Sequence, residues 1–281
     1  MKTLKLTLIC CLLSAFTFAS VSQNEKEALL ALYNSTNGQS WTNTWDLNEP
    51  VNSWFGVTLE DDKVVAIELM FNNLEGNIPS ELSQLTALRS LNLSFNKLSG
   101  ELPVELTEIS SLKELKLFSN RISGAIPITI GNLAKLRSLE LYNNELSGEI
   151  PESIGELVEL EALILSSNQL MGKLPRSISN LKKLKVLSVF DNKLLGTVPS
   201  SFGELAQLEE LVLSNNAFYG RLPNELAQLS NLKTLLLSNN GFKGNYAYLK
   251  DKLPNIVDFD LDKSNTEGVL VTLDEEPDDN D

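Results

Sequence analysis

Apolar residues recur along this chain on a fixed grid. The first apolar position of each unit returns every 24 residues, at Val64, Leu88, Leu112, Leu136, Leu160, Leu184, Leu208 and Leu232. Within each unit the order is L-x-x-L-x-L-x-x-N-x-L-x-G-x-[ILV]-P, as in Leu88, Leu91, Leu93, Asn96, Leu98, Gly100, Leu102 and Pro103. The L-x-L stretch alternates apolar with polar, which predicts a short strand with one face buried. A strict period of this length predicts a solenoid, in which each unit buries its apolar face against the next. The grid fails only near the C-terminal end, where terminal repeats are atypical. Ile256, Phe259 and Leu261 form a ninth half unit, Ser264 stands in the asparagine position, and Ala247 replaces a proline.

Each polar position on the grid has a physical reason. Asn72, Asn96, Asn120, Asn144, Asn168, Asn192, Asn216 and Asn240 follow the strands where the chain turns inward. A carboxamide both donates and accepts, so an enclosed asparagine can bond backbone of its own and a neighbouring coil. The eight are expected to form an internal ladder. The recurring glycines, such as Gly100 and Gly124, permit a tight turn, and the prolines set an extended entry to the outer segment. A second apolar set, Leu82 with Leu85 and Phe202 with Leu205, predicts a short outer helical turn packed on the strand leucines.

These motifs resemble those of the plant-type leucine-rich-repeat family, over about residues 64–255. The resemblance implies an α/β solenoid: a right-handed horseshoe of about 8 full repeats with a concave parallel β-sheet. It also implies recognition of proteins, peptides or glycans. Residues 23–63 read as an N-terminal cap, with helically spaced Ala28, Leu29, Leu32 and Tyr33, then Trp41, Trp45 and Trp54. The run Trp54–Phe55–Gly56–Val57 resembles the family's W-x-G-V cap motif. Asn52 and Leu59 stand where the family often has cysteines, a departure that resembles its exported bacterial members. The tryptophans read as a lid on the first coil or as a carbohydrate platform.

The remaining chain bounds the function. Residues 1–22, with two early lysines, an apolar stretch and small residues near Ala19 and Ser22, read as a secretory signal. The chain is therefore expected to be secreted or cell-surface, with no membrane span after cleavage. Both cysteines, Cys10 and Cys11, fall in that segment, and histidine is absent, which excludes imidazole bases and histidine metal sites from the rest. No cofactor or metal is expected. The formal charge of −14 opposes nucleic-acid binding. Residues 256–273 read as a capping half repeat, and 274–281 (DEEPDDND) as an acidic disordered tail. Asp258, Asp260 and Asp262 alternate with apolar residues, a faint calcium-loop pattern without that loop's glycine and distal glutamate. They read more readily as charges that discourage edge pairing.

Residues on the strands that point away from the core outline the working face. Met70, Phe71, Phe95, Phe118, Tyr142 and Phe190 form an aromatic and thioether patch, with Ile164 and Val212 beside it. Clustered exposed aromatics are what binding hot spots look like. The same side chains could instead pack against one another and only stabilise the sheet. The leading expectation is an exported, non-catalytic, monomeric recognition protein for a protein, peptide or polysaccharide. A surface-displayed adhesin or receptor-like scaffold is the alternative. A glycan hydrolase using Glu114 and Glu140 is a remote one, because an open curved sheet excludes little water.

Overall fold

The computed structural model describes residues 21–262. The leader read at 1–22 therefore lies outside the described residues, apart from Val21 and Ser22, as does the acidic end at 274–281. Among the described residues the chain winds as a solenoid with two sheets and a row of outer 3-10 turns. The concave sheet has ten strands. It opens with an antiparallel hairpin, Val57–Glu60 on Lys63–Glu68, and continues in parallel strands from Ser90–Asn92 to Asp258–Asp260. Grid-equivalent residues face each other, so Ala66 lies opposite Ser90, and Ser90 opposite Glu114. The period of the sequence is thus the register of the sheet.

A second sheet of eight parallel strands was not anticipated. It runs along the side of the solenoid from Glu75–Asn77 to Gly241–Phe242, over the segment x-L-x-G-x that follows each ladder asparagine. Its strands alternate like any other: Leu98, Ile122, Leu146, Leu170, Leu194 and Phe218 point inward and are buried, while their neighbours face solvent. The register here is offset by two residues, so that Gly100 pairs with Ile122 rather than Gly124. An offset of two keeps the same face outward. The central glycines hold left-handed backbone, with φ of +77° at Gly124, where a Cβ would come within 2.7 Å of the Glu101 Cγ.

On the convex side the prolines hold extended backbone (Pro103 at φ −63°, ψ 132°) and hand over to five-residue 3-10 turns such as Val104–Glu108 and Ser200–Glu204. Leu82, Leu85, Phe202 and Leu205 on these turns are fully buried against the strand leucines. One apolar spine therefore runs the length of the molecule.

The asparagines stitch that spine. Asn168 donates through Nδ2 to the Leu165 carbonyl of its own coil (3.1 Å) and the Leu141 carbonyl of the preceding one (3.0 Å), and its Oδ1 accepts the Leu146 N–H (3.0 Å). Asn96, Asn120, Asn144, Asn192, Asn216 and Asn240 repeat this pattern. At the N-terminal end Asn72 bonds Asn43 of the cap through both its amide groups. At the other end Asp262 accepts the Asn239 N–H (2.8 Å), where earlier coils offer a backbone carbonyl. The three terminal aspartates are engaged with the preceding coil: Thr234 donates to Asp258 and Ser238 to Asp260. Among the described residues no acidic cluster is arranged to hold a metal ion.

The N-terminal helix α1, Gln23–Ser35, is capped by Ser22, whose Oγ accepts the Glu25 N–H. Glu25 is buried and accepts the Val64 N–H, so it ties the helix to the first coil. Trp41, Trp45 and Trp54 are buried, with Trp45 stacked on Trp54 at 4.7 Å. Every indole N–H donates to a backbone carbonyl, of Thr36, Phe55 and Asp46 respectively. That overturns the carbohydrate-platform reading, because no indole face is left to stack on a sugar.

Candidate binding face

The ladder asparagines force an uncommon backbone on the residue before them. In every coil that residue is left-handed: Phe71 (φ 55°), Phe95 (53°), Ser119, Asn143, Ser167, Asp191, Asn215 and Asn239. Asparagine, aspartate and serine occupy six of these positions, and the first two of those accept left-handed backbone at least cost. Phenylalanine occupies the other two, in adjacent coils. Both rings are out in solvent, with Phe71 59% and Phe95 40% exposed, and they stack at 4.1 Å with planes 10° apart.

From this pair a ring ladder runs onto the concave sheet. Phe95 meets Phe118 edge-on at 5.2 Å, and Phe118 stacks on Tyr142 at 4.3 Å. Four consecutive coils thus each contribute one ring. The sequence reading placed Phe118 among exposed residues, and this is a correction: the ring is only 8% exposed, because Phe95 closes one side and Tyr142 the other. Tyr142 is half-buried. Met70 is exposed beside Phe71. Phe190 does not join the ladder; Ser166 stands in the coil between, bonded to Ser188 at 2.7 Å. Ile164, Phe190 and Val212 are half-buried and sit farther along the sheet. The eight candidates therefore divide into an N-terminal cluster of five and three positions outside it.

Beside the ring ladder lies a charged cluster. Lys116 Nζ sits 3.2 Å from Glu114 and 3.7 Å from Glu140, the pair considered as glycosidase acids. Burial pushes the Lys116 ammonium down, but its hydrogen bond to Glu114 and the charges of Glu140, Glu114 and Glu68 together hold it above its ordinary value. The cation occupies the gap where a glycosidic oxygen would have to lie, which argues against the hydrolase pairing. Burial and the Glu140 charge both raise the Tyr142 hydroxyl. Three acids around one lysine leave this stretch net negative. The face thus offers flat apolar rings next to carboxylates.

Comparisons with known proteins agree with this architecture. A family pattern described as "Leucine-rich repeat region" matches residues 128–255, and one described as "Leucine Rich Repeat" matches 87–109 and 111–133. Among curated proteins none matches by sequence. Among solved structures, the chain is similar to the ectodomain of the membrane receptor kinase GASSHO1/SCHENGEN3 from Arabidopsis thaliana, solved with CASPARIAN STRIP INTEGRITY FACTOR 2. The two are 32% identical with a TM-score of 0.69, over 84% of this chain and 32% of that one. A leucine-rich-repeat protein of Leptospira interrogans is 30% identical with a TM-score of 0.58, over 73% of this chain and 56% of that one. A plant ice-binding protein shares the fold over 86% of each chain, at 24% identity and a TM-score of 0.66. The chain spans about a third of the length of the plant receptor ectodomain. With the two-sheet coil, the asparagine ladder and these matches together, the chain belongs to the leucine-rich-repeat family.

Proposed function

We propose that this is an exported, non-catalytic recognition protein that binds a polypeptide partner along the N-terminal half of its concave face. The observation that carries the reading is the stacked Phe71–Phe95 pair, exposed in a backbone conformation that disfavours phenylalanine. Strained, exposed residues cluster where a surface meets a ligand. The carboxylates of Glu68, Glu114 and Glu140 add a preference for cationic side chains, and an arginine guanidinium can lie on the rings while reaching an acid. The similarity to a receptor ectodomain solved with its peptide partner supports the class of ligand.

The test uses Phe71→Asn/Phe95→Asn. Phe118 is unsuited, since its ring is enclosed. The full chain and the double variant are screened on arrays of secreted polypeptides and of glycans. The expected result is a polypeptide hit that the variant loses while its unfolding midpoint is kept. A hit that survives the double substitution sinks this placement of the site, and hits confined to the glycan array overturn the polypeptide class.

A further inference from the structure

The lateral sheet changes character halfway along. In the coils of Asn96, Asn120 and Asn144 the outward position of that sheet is Ser99, Ser123 or Ser147, each with its hydroxyl directed at a glycine carbonyl of the preceding coil. In the next three coils the same position holds Met171, Leu195 and Tyr219, exposed by 47%, 40% and 51%. The charge changes at the same boundary. Segments 73–77, 97–101, 121–125 and 145–149 carry four acids and two cations, whereas 169–173, 193–197, 217–221 and 241–245 carry four cations and no acid.

The register interleaves the two chemistries. Met171 lies across from Lys193 on one side and Glu149 on the other, and Leu195 lies across from Lys173. Tyr219 lies across from Gly241, with Arg221 and Lys243 at the strand ends beyond it. Lys173, Arg221 and Lys243 enter none of the ion pairs among the described residues, and Lys193 reaches only the Gln169 amide oxygen at 3.4 Å. This happens in a chain of formal charge −14, whose other lysines commonly find a glutamate in an adjacent coil, as Lys183 finds Glu159 and Lys185 finds Glu161. Unpaired cations around three exposed apolar side chains complement a ligand that is anionic and apolar at once.

We propose that the lateral sheet over the coils of Asn168, Asn192, Asn216 and Asn240 is a second docking surface, and that its occupant is an acidic, apolar-bearing polypeptide segment of a partner protein. The chemistry is the inverse of the concave cluster, where carboxylates flank rings, so the two faces select opposite partners. An anionic lipid surface is disfavoured because it would repel the acids elsewhere on this chain of formal charge −14, offsetting its attraction for the four cations.

The experiment titrates the full chain into a labelled octapeptide, EVDLEELD, and into its amidated counterpart QVNLQQLN, by fluorescence anisotropy at low and high salt. Binding is expected for the acidic peptide only, weakening as salt rises. Lys173→Glu/Arg221→Glu and Met171→Ser/Leu195→Ser/Tyr219→Ser are each expected to weaken it at least tenfold, while Phe71→Asn/Phe95→Asn leaves it unchanged. All five substituted residues of the lateral patch are exposed, so unfolding midpoints should hold. Should the triple variant fail to fold, the charge reversal alone decides. Equal binding of both peptides, or binding untouched by the charge reversal, overturns the proposal. So does binding to phosphatidylserine vesicles without binding to the peptide. A full chain amidated at its acids in 274–281 that binds while the native chain does not would make the chain's own end the occupant, and overturn the partner.

Discussion

Asn168 lies mid-ladder, and Asn168→Ala tests how firmly one coil is held to the next. The substitution removes the acceptor from the Leu146 N–H (3.0 Å) and the donor from the carbonyls of Leu141 (3.0 Å) and Leu165 (3.1 Å). All three groups lie on the inner turn, and an alanine methyl replaces none of them. An orphaned amide costs about 1–3 kcal/mol, and carbonyls tolerate the loss better because each has a second lone pair. The expected loss is therefore about 2–4 kcal/mol. Asn168→Asp keeps the acceptor but sets a carboxylate oxygen against the carbonyls of Leu141, Leu165 and Ser166, so it should cost at least as much. Urea unfolding reads the global effect, with the slope m watched for a split into two blocks, as solenoid coils couple only to neighbours. Amide exchange at Leu146 reads the local one. A loss below about 0.5 kcal/mol with unchanged exchange at Leu146 would refute the claim that the amide carries the contact.

Further outcomes follow from the same geometry. Gly124→Ala should cost about 1–2 kcal/mol from its left-handed backbone alone, because the Glu101 side chain 2.7 Å away can swing aside. Gly76→Ala should cost more, as its Cβ would lie 2.0 Å from the Ser35 carbonyl oxygen, which is backbone of the cap; equal thermal shifts for the two variants would contradict this. Lys116 is held above its ordinary value in the fold, so the stability it contributes is complete below its unfolded pKa and is lost as pH rises through the folded one. Wild type and Lys116→Met should differ in urea midpoint at neutral pH and converge in strongly alkaline buffer. If the chain is exported as proposed, cleavage is expected before Ser22 rather than after it, because loss of Ser22 would strip the cap from α1; the N-terminus read by mass checks this.

Which parts were legible in the sequence depends on whether a position answers to its own coil or to the next. The concave strands and outer turns were legible because Leu91, Leu93, Leu82 and Leu85 are buried whatever side chain the neighbouring coil carries. The lateral sheet was hidden, since a run such as Lys97–Leu98–Ser99–Gly100–Glu101 has poor strand propensity, and pairing arises only when stacked coils bring backbone groups opposite each other. Its signal was present in the alternation around Leu98 and Leu102. Phe118 was misread for a similar reason: its burial is set by Phe95 and Tyr142, which lie a whole period away on either side.

The left-handed column shows why Phe71 and Phe95 call for an explanation outside the fold. Each coil needs one left-handed residue before its ladder asparagine, and the column faces solvent or the rim, so packing rarely dictates the side chain. A non-glycine residue in this conformation costs about 1–2 kcal/mol, and the short polar side chains used in other coils recover part of that by local hydrogen bonding. A phenylalanine cannot. Stacking between the two rings returns about 0.5–1.5 kcal/mol in total, shared by two strained residues. On this comparison the pair at best breaks even against two asparagines, while leaving apolar surface in water. A fold under selection for stability alone would put asparagine at both positions, as it does at Asn143, Asn215 and Asn239. The lateral exchange of serine for Met171, Leu195 and Tyr219 follows the same logic, because each gives up a hydroxyl contact with the preceding coil and exposes apolar atoms instead. In a repeat the neighbouring coils serve as internal controls, and both departures stand out against them as surfaces shaped by something other than the coil.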